Sequence, residues 1–374
     1  MKGAFPLDVE VLLSVLNHLN LGVYVTDLDR KIMLWNRKAE EITGYRAADV
    51  VGRPCRDQVL THIDKEGHRL CSTQLCPLYR SMQVGKPSQE PVLVYAKKAD
   101  GTRVAVSVSV APLRDESGGI VGGIEAFSDE SERIYDLEFA RKIQENLLPE
   151  SLPEPPNMRF DVRYYPHDLI GGDFYDVRSI GPGRYGILVA DVRGHGVSAS
   201  LYTMWLKSLT ETHRQAAQDP AEFLSALNHE LSRFVVTESF ATAFYAVVDC
   251  ERCEVVYANA GHPLPLRFRA DGSIAARLEA HGVPLGITGD VDYSAVTTPL
   301  HEGDLLVCYT DGATEVRDRH GRMLGEEGLA RLVSEELGRG DGDLLERVYR
   351  QVTEICADVS LPDDFLLLSV RRTA

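Results

Sequence analysis

The order of apolar and polar positions divides the chain into two unlike halves. Leu12, Val15, Leu16 and Leu19 recur at helical spacing, which predicts an amphipathic helix over residues 7–20. Strand-like runs follow at 23–26 and 31–35, separated by the turn residues Asp27-Leu28-Asp29-Arg30. Residues 36–45 read as a helix that stops at Gly44. Three more strands are expected at 92–97, 104–111 and 120–127, the middle one alternating between two faces through Val104, Val106, Val108 and Val110. Residues 129–148 are charged, yet Ile134, Leu137, Ala140, Ile143 and Leu147 fall three or four apart, so a helix with one apolar stripe fits. It is too short for spacing alone to establish a coiled coil. Pro149, Pro153, Pro155 and Pro156 stop it, and beyond them strand-like and helix-like segments alternate. The expected organisation is a first domain at 7–128, a helical linker at 129–150 and a second domain at 151–374.

The length of 374 residues suits two such domains, and 44% hydrophobic with 26% charged residues is ordinary for folded, soluble protein. The longest apolar runs are strand-sized, far below the ~20 residues that cross a bilayer, and the first residues lack a signal peptide's apolar stretch. A cytoplasmic protein without membrane contact is expected. A net charge of −16 disfavours a nucleic-acid partner but not a divalent cation, which carboxylates bind through oxygen. Seven cysteines in such a compartment are expected to be reduced, buried or metal-bound.

Strands, short helices and a three-stranded meander over residues 7–128 resemble the PAS fold. "NRKAEEITGY" followed by "VVGR", then "KADGTRV" and "IVGGIEAFSDES", carry the match. PAS folds hold haem, flavin, small metabolites or nothing, so the resemblance leaves the ligand open.

Four acids stand out in the second half, each beside glycine or at the end of an apolar run: Asp173, Asp191, Asp311 and Asp364. Residues 186–190 read as a buried strand delivering Asp191, and Gly194-His195-Gly196 bends the chain into a helix at 198–213. Residues 305–310 deliver Asp311 in the same way, and Asp364 precedes a strand at 365–370. Strand ends are rigid supports from which carboxylates can converge. Converging anions repel and need a cation; two Mg²⁺ or Mn²⁺ ions ~4 Å apart would activate water for in-line attack on a phosphoryl group. Taken singly, each Asp could equally cap a helix or close a turn.

"LIGGDFYDV", "LVADVRGHGVSAS", "ATAFYAVVD", "YANAGHPLPL", "GVPLGI", "LLVCYTDGATE" and "DDFLLLSV" resemble, in order, the motifs of the SpoIIE-type metal-dependent phosphatases, bacterial relatives of the type 2C protein phosphatases. "ARKIQENLLPESLP" resembles the segment that leads into them, so the likeness spans about residues 139–372. It implies an α+β chain of two domains: a PAS fold, an antiparallel sheet with flanking helices, and a type 2C-like α/β sandwich of two sheets flanked by helices. It also implies Asp173, Asp191, Asp311 and Asp364 as metal ligands, Asp191 bridging both ions, with the backbone carbonyl of Val192 completing the site. Asp176 and Asp363, close neighbours of these, are expected to be supporting or structural.

Gly194, His195, Gly196 and His262 are candidates to lie near the phosphate. The glycines and the following helix N-terminus suit an anion. His195 and His262 could donate a proton to the leaving oxygen, or could only hold loops. In the first domain Cys55, His62, Cys71 and Cys76 crowd into "CRDQVLTHIDKEGHRLCSTQLCPL", a set that suits zinc or an iron–sulfur centre or, alternatively, buried thiols. "GRPCR" is partly similar to the flavin-reactive motif of LOV domains, with Pro54 and Asp57 departing from it. Cys250 and Cys253 form a CxxC expected to be ordinary hairpin sequence.

The resemblance implies a protein serine/threonine phosphatase, regulated by its PAS domain through the linker helix and forming a homodimer. Its partner would be a phosphorylated anti-sigma-factor antagonist of the STAS type. The rival classes are a catalytically silent sensory scaffold, against which the full set of acids weighs, and a histidine kinase, for which no glycine-rich ATP lid is present.

Overall fold

The computed structural model describes residues 9–65, 67–71, 73–194, 196–233, 239–289, 291–339, 342–357 and 361–373. Two compact units divide the chain, Met1–Asp136 and Leu137–Ala374. Among the described residues no helix is long and apolar enough to cross a membrane.

The first unit opens with helix α1 (Val9–His18), strands β1 (Gly22–Asp27) and β2 (Ile32–Trp35), and short helices α2 (Arg37–Thr43) and α3 (Ala47–Val50). A π-type turn at Cys55–Val59 and helix α4 (Pro77–Val84) lead to β3 (Val92–Lys97), β4 (Arg103–Arg114) and β5 (Ile120–Asp129). The antiparallel sheet runs β2-β1-β5-β4-β3, so the first hairpin pairs with the last strand rather than its sequence neighbour. Asn36 fixes the start of α2: its Oδ1 accepts from the N–H of Val23 (2.8 Å) and of Ala39 (2.9 Å), and its amide donates to Leu16 and Leu21. Such a cap is worth ~1 kcal/mol. At the other end Gly44, with φ 76°, takes the left-handed conformation that closes the helix. Tyr24, Trp35 and Phe127 form an aromatic centre in the core beneath.

Helix α5 (Ser131–Leu147) follows. Ile134, Leu137, Ala140 and Leu147 of its expected apolar stripe are half-buried, while Ile143 is exposed and its neighbour Gln144 is buried. The polar residue goes inside because backbone groups wait there for its amide. Tyr135 and Phe139, outside that stripe, are 70% and 60% exposed.

The second unit contains β6 (Met158–Tyr165), the hairpin β7 (Asp173–Gly181) and β8 (Arg184–Val192), helices α6 (Val197–Thr212) and α7 (Pro220–Arg233), and β9 (Ala241–Asp249). Then come β10 (Glu254–Ala260), β11 (Leu266–Phe268), β12 (Ile274–Arg277), β13 (Val296–Pro299), β14 (Leu305–Tyr309), helices α8 (Gly325–Leu337) and α9 (Leu344–Ile355), and β15 (Phe365–Arg372). Two five-stranded sheets result, β13-β10-β9-β8-β7 and β12-β11-β14-β15-β6. Period-two alternation sorts their side chains. Tyr175, Val177, Ile187, Val189 and Phe244 of one sheet meet Leu306, Cys308, Leu366 and Leu368 of the other in a shared core. The opposite faces pack under α6 and α7 on one side and under α8 and α9 on the other. The unit is therefore helices, sheet, sheet, helices, in agreement with the expected sandwich. The CxxC lies in the β9–β10 turn, where Cys253 Sγ donates to the Cys250 carbonyl at 3.4 Å.

Candidate metal centre

The acids singled out by sequence meet at one end of the two sheets. Asp173 opens β7 and stands directly across from Asp191 in the β7–β8 register. Both have the parity of Tyr175 and Val189, so their side chains share the face turned toward the other sheet. Asp311 begins a single 3₁₀ turn just after β14, and Asp364 directly precedes β15, the strand paired with β14. One sheet thus supplies one pair of acids and the other sheet the second.

Glycines let the segments approach. A Cβ on Gly171 would lie 2.1 Å from the Tyr164 hydroxyl and 2.6 Å from Asp364 Oδ2, and one on Gly312 would lie 1.9 Å from the Asp364 carbonyl oxygen. Neither position admits a side chain. Gly172 lies close beneath the carbonyl oxygens of Val192 and Gly194, at 3.0 and 3.1 Å from a built Cβ. Gly194 and Gly196 adopt φ of 93° and 77°, and Gly196 caps α6. His195 lies outside the described residues.

The electrostatics are those of uncompensated charge. Asp173 is raised well above the usual carboxylate range by burial, then by Asp191 and Asp364. Burial followed by Asp311 and Asp363 pushes Asp191 up to about 7, and burial followed by Asp363 and Glu315 pushes Asp311 up to about 6. The charged groups acting most strongly on each acid are other carboxylates. Such a set is stable in ionised form only beside a cation. Oxygen-only donors, a backbone carbonyl at hand and glycine-cleared space fit hard divalent ions. Among the described residues no group of three His, Cys, Asp or Glu side chains is yet drawn in to the spacing of a closed ligand shell. The fit rests on the donor chemistry and the cradle.

The structure separates neighbours that the sequence could not. Asp364 accepts from the backbone N–H of His167 on Oδ1 (2.7 Å) and from those of Gly172 (2.5 Å) and Asp173 (3.1 Å) on Oδ2. It ties the Gly171-Gly172-Asp173 segment to the second sheet. Asp363 is exposed and acts on Asp191, Asp311 and Asp364. Asp176 has the opposite parity on β7: it points to the helix side and pairs with Arg178 and, at 3.6 Å, with Lys207. It does not join the cluster.

His262 is 4% exposed, and burial drives it down to about 3, so it is neutral at ordinary pH. Its Nδ1 lies 2.9 Å from Thr242 Oγ1, and its backbone exchanges hydrogen bonds with Asn259. These contacts hold the loop after β10.

Four residues escaped sequence reasoning. Thr310 donates to Asp173 Oδ2 at 2.6 Å and accepts from the Leu366 N–H at 3.2 Å, joining the sheets beside the acids. Gln144 donates to the Gly171 carbonyl (2.8 Å) and to Thr203 (3.0 Å) and accepts from the Gly171 N–H (3.1 Å). Tyr164 turns a buried, unpartnered hydroxyl toward Gly171. Glu315, in the quoted "TDGATE", adds a carboxylate near Asp191 and Asp311. The polar break in an amphipathic helix was the one available signal for Gln144.

Comparison with known proteins agrees with this arrangement. Residues 181–373 match the family model described as Stage II sporulation protein E (SpoIIE), and residues 20–132 match a PAS domain model. Phosphoserine phosphatase RsbU of Bacillus subtilis (strain 168) is 29% identical over 241 residues, 63% of this chain and 70% of RsbU. Phosphoserine phosphatase RsbP of the same strain is 32% identical over 184 residues, 48% of this chain but only 45% of RsbP. Among solved structures, the SiaA-PP2C domain of Pseudomonas aeruginosa superposes with a TM-score of 0.56 at 25% identity, covering 64% of this chain and 96% of that one. The RsbU and RsbW domains of Rv1364c from Mycobacterium tuberculosis give 0.52 at 26% identity, covering 61% of this chain and 63% of that one. The chain belongs to the SpoIIE family, with a PP2C-type phosphatase domain of that metal-dependent class behind an N-terminal PAS domain.

Proposed function

We propose that the chain is a PAS-regulated protein phosphatase that removes phosphate from phosphoserine or phosphothreonine on a partner protein, using two Mn²⁺ or Mg²⁺ ions. The observation that carries this reading is the meeting of Asp173, Asp191, Asp311 and Asp363 from two sheets, with no cation among the charged groups that act most on Asp173, Asp191 and Asp311. When bound, such ions supply a nucleophile drawn from water and Lewis-acid stabilisation of phosphoryl charge.

The chain's own residues then have distinct tasks. Asp173, Asp191 and Asp311, with the Val192 carbonyl, would hold the ions. Asp363, exposed and with only one oxygen taken by the Asp364 N–H (2.8 Å), takes the ligand role first expected of Asp364. Asp364 instead spends Oδ1 on the His167 N–H and Oδ2 on those of Gly172 and Asp173. The N-terminus of α6 behind Gly194 and Gly196 offers its positive end to the phosphate.

Both RsbU and RsbP bear the name phosphoserine phosphatase, which favours a phosphoserine substrate. Kinship favours a STAS-type anti-sigma-factor antagonist as the protein that carries it. The exposed stripe Tyr135, Phe139 and Ile143 on α5, spaced at one helical turn, supports a homodimer formed through the linker. Gln144 on the same helix grips Gly171, two residues before Asp173, and supports regulation through that helix.

The test is turnover of a small aryl phosphate and of a phosphorylated antagonist protein by the full chain, with Mn²⁺ and with chelator. Activity that requires Mn²⁺ and disappears in Asp311→Ala is expected. Equal turnover by wild type and Asp311→Ala would remove the site assignment, and no turnover by a folded, metal-loaded wild type would favour a silent scaffold.

A further inference from the structure

The phosphatase reading leaves the cysteines unused. Cys55, Cys71 and Cys76, with His62 among them, are buried in the first unit, and among the described residues they do not stand at the spacing of a metal site. That leaves the alternative set beside zinc and iron–sulfur, plain buried thiols. Cys250 and Cys253 are placed differently. They are the first and last residues of the four-residue turn between Asp249 and Glu254, which pair across the β9–β10 hairpin. The ends of a β-turn bring Cα atoms within about 7 Å, close to the span of a disulfide. The N–H groups of Glu251 (3.1 Å) and Arg252 (2.9 Å) donate to Asp249 Oδ1 and fix that turn. Both thiols face the same interior: Cys250 belongs to the core between the sheets, and Cys253 packs against it. Cys253 Sγ lies 3.4 Å from the Cys250 carbonyl oxygen and 3.9 Å from Asn157 Nδ2.

The identity of the residue adds an independent argument. Cys253 is held at φ 53°, a left-handed conformation that glycine or asparagine adopts more easily. The strain falls on the position that sets a second thiol across the turn from Cys250. The two also differ in access. Cys250 is 7% exposed, and burial followed by Asp249 pushes it up to about 11, so it waits as a thiol. Cys253 is only half-buried and meets solvent first.

We propose that Cys250 and Cys253 form a reversible disulfide in response to a two-electron oxidant of the peroxide class. The Cys253 sulfur attacks one peroxide oxygen: an S–O bond forms, the O–O bond breaks, and the departing oxygen leaves as water with the thiol proton. The Cys250 sulfur then attacks that of Cys253. The S–S bond forms, the S–O bond breaks, and hydroxide leaves as water with the Cys250 proton. The two thiols lose two hydrogens and two electrons in all, and the peroxide is reduced to two waters. A dithiol reverses the change by exchange. Closing the bond draws Cys253 Sγ off the Cys250 carbonyl and the Asn157 amide. The turn is also a junction, since the Cys250 N–H donates to the Gly183 carbonyl (2.8 Å) in the β7–β8 turn and the Cys253 carbonyl accepts from the Leu300 N–H (2.9 Å). It stands at the end of the sheet remote from the acids: Asp249 pairs with Arg184, Thr242 with Asp191. This inference does not rest on the phosphatase reading.

Peptide mapping tests it. Trypsin cuts after Arg252, between the two cysteines, so the disulfide joins residues 234–252 to residues 253–267 in one species, two hydrogens lighter than the separate peptides together. The folded full chain is treated with hydrogen peroxide and denatured in iodoacetamide to block free thiols, and its digest is read by mass spectrometry without reductant. The linked species is expected after peroxide and is expected to vanish after dithiothreitol. Cys71→Ser should keep the link, whereas Cys250→Ser should leave Cys253 as a sulfenic acid that dimedone traps. The wild-type map decides even if Cys250→Ser misfolds. A folded wild type whose Cys250 and Cys253 both remain alkylated after peroxide overturns the proposal. So does Cys253 that passes to sulfinic acid without a link, or either thiol joined to another cysteine instead.

Discussion

Replacing Asp191 by asparagine should make the metal-free protein more stable while destroying its response to metal. Burial and the surrounding carboxylates push Asp191 up to about 7 from an ordinary 3.8. A tenfold change in proton affinity corresponds to about 1.4 kcal/mol, so keeping this group ionised above pH 7 without a cation costs the fold about 4 kcal/mol. The folded state holds the proton more tightly than the unfolded chain does. Stability from this group is therefore complete below about pH 4 and is lost as the pH rises through about 7. Asp191→Asn removes the ionisation, and in chelator at about pH 8 the variant should gain ~2–4 kcal/mol over wild type. Saturating Mn²⁺ offsets that advantage: at a thousand times Kd, wild type gains about 4.1 kcal/mol, enough to match or exceed the variant, which gains nothing. The chain has only two tryptophans, and Trp205 packs on α6 against the core of the second unit. Urea unfolding followed by Trp205 fluorescence in a Trp35→Phe background reads that unit alone. A variant less stable than wild type in chelator, or one stabilised by Mn²⁺ as much as wild type, would refute the reasoning.

Other outcomes follow from the same geometry. Gln144→Ala strips three hydrogen bonds from Gly171 and Thr203 and should cost ~2–4 kcal/mol, with Mn²⁺ affinity falling in parallel by calorimetry. Gly312→Ala drives a methyl into the Asp364 carbonyl and should lower stability by about 1–3 kcal/mol or more, together with metal affinity. His262→Ala should leave the pH profile of turnover unchanged, because the ring is already neutral there, while thermal unfolding shifts downward; a displaced limb would give His262 a proton-transfer role instead. Thr310→Val keeps shape but removes the donor to Asp173 and the acceptor for Leu366, so weaker Mn²⁺ binding with a folded circular dichroism spectrum is expected.

The strands, their turns and the positions of Asp173, Asp191 and Asp311 were legible because each depends on short-range pattern: alternation, glycine, and an acid at the end of an apolar run. The choice between Asp363 and Asp364 was not. Both act on the other acids, and the three backbone N–H groups that hold Asp364 lie nearly two hundred residues earlier in the chain. Asp176 was likewise ambiguous until the parity of β7 separated it from Asp173. The apolar stripe of α5 marked the helix and its half-buried side through Ile134, Leu137, Ala140 and Leu147, but not that Gln144 rather than Ile143 goes inside, where its amide meets both backbone groups of Gly171. Tyr164 and Thr310 sit in strand-like surroundings where nothing in the spacing marks them.

The shared core between the two sheets has a second job. Because the acids hang from both layers, the thickness of that core sets how far apart opposing donors stand. Leu306, Cys308 and Leu366 are therefore shims as well as filler. Enlarging one of them would pry the jaws open and blunt cation capture well before the domain lost its shape, so metal affinity serves as a fine gauge of a hydrophobic interior that no ion touches.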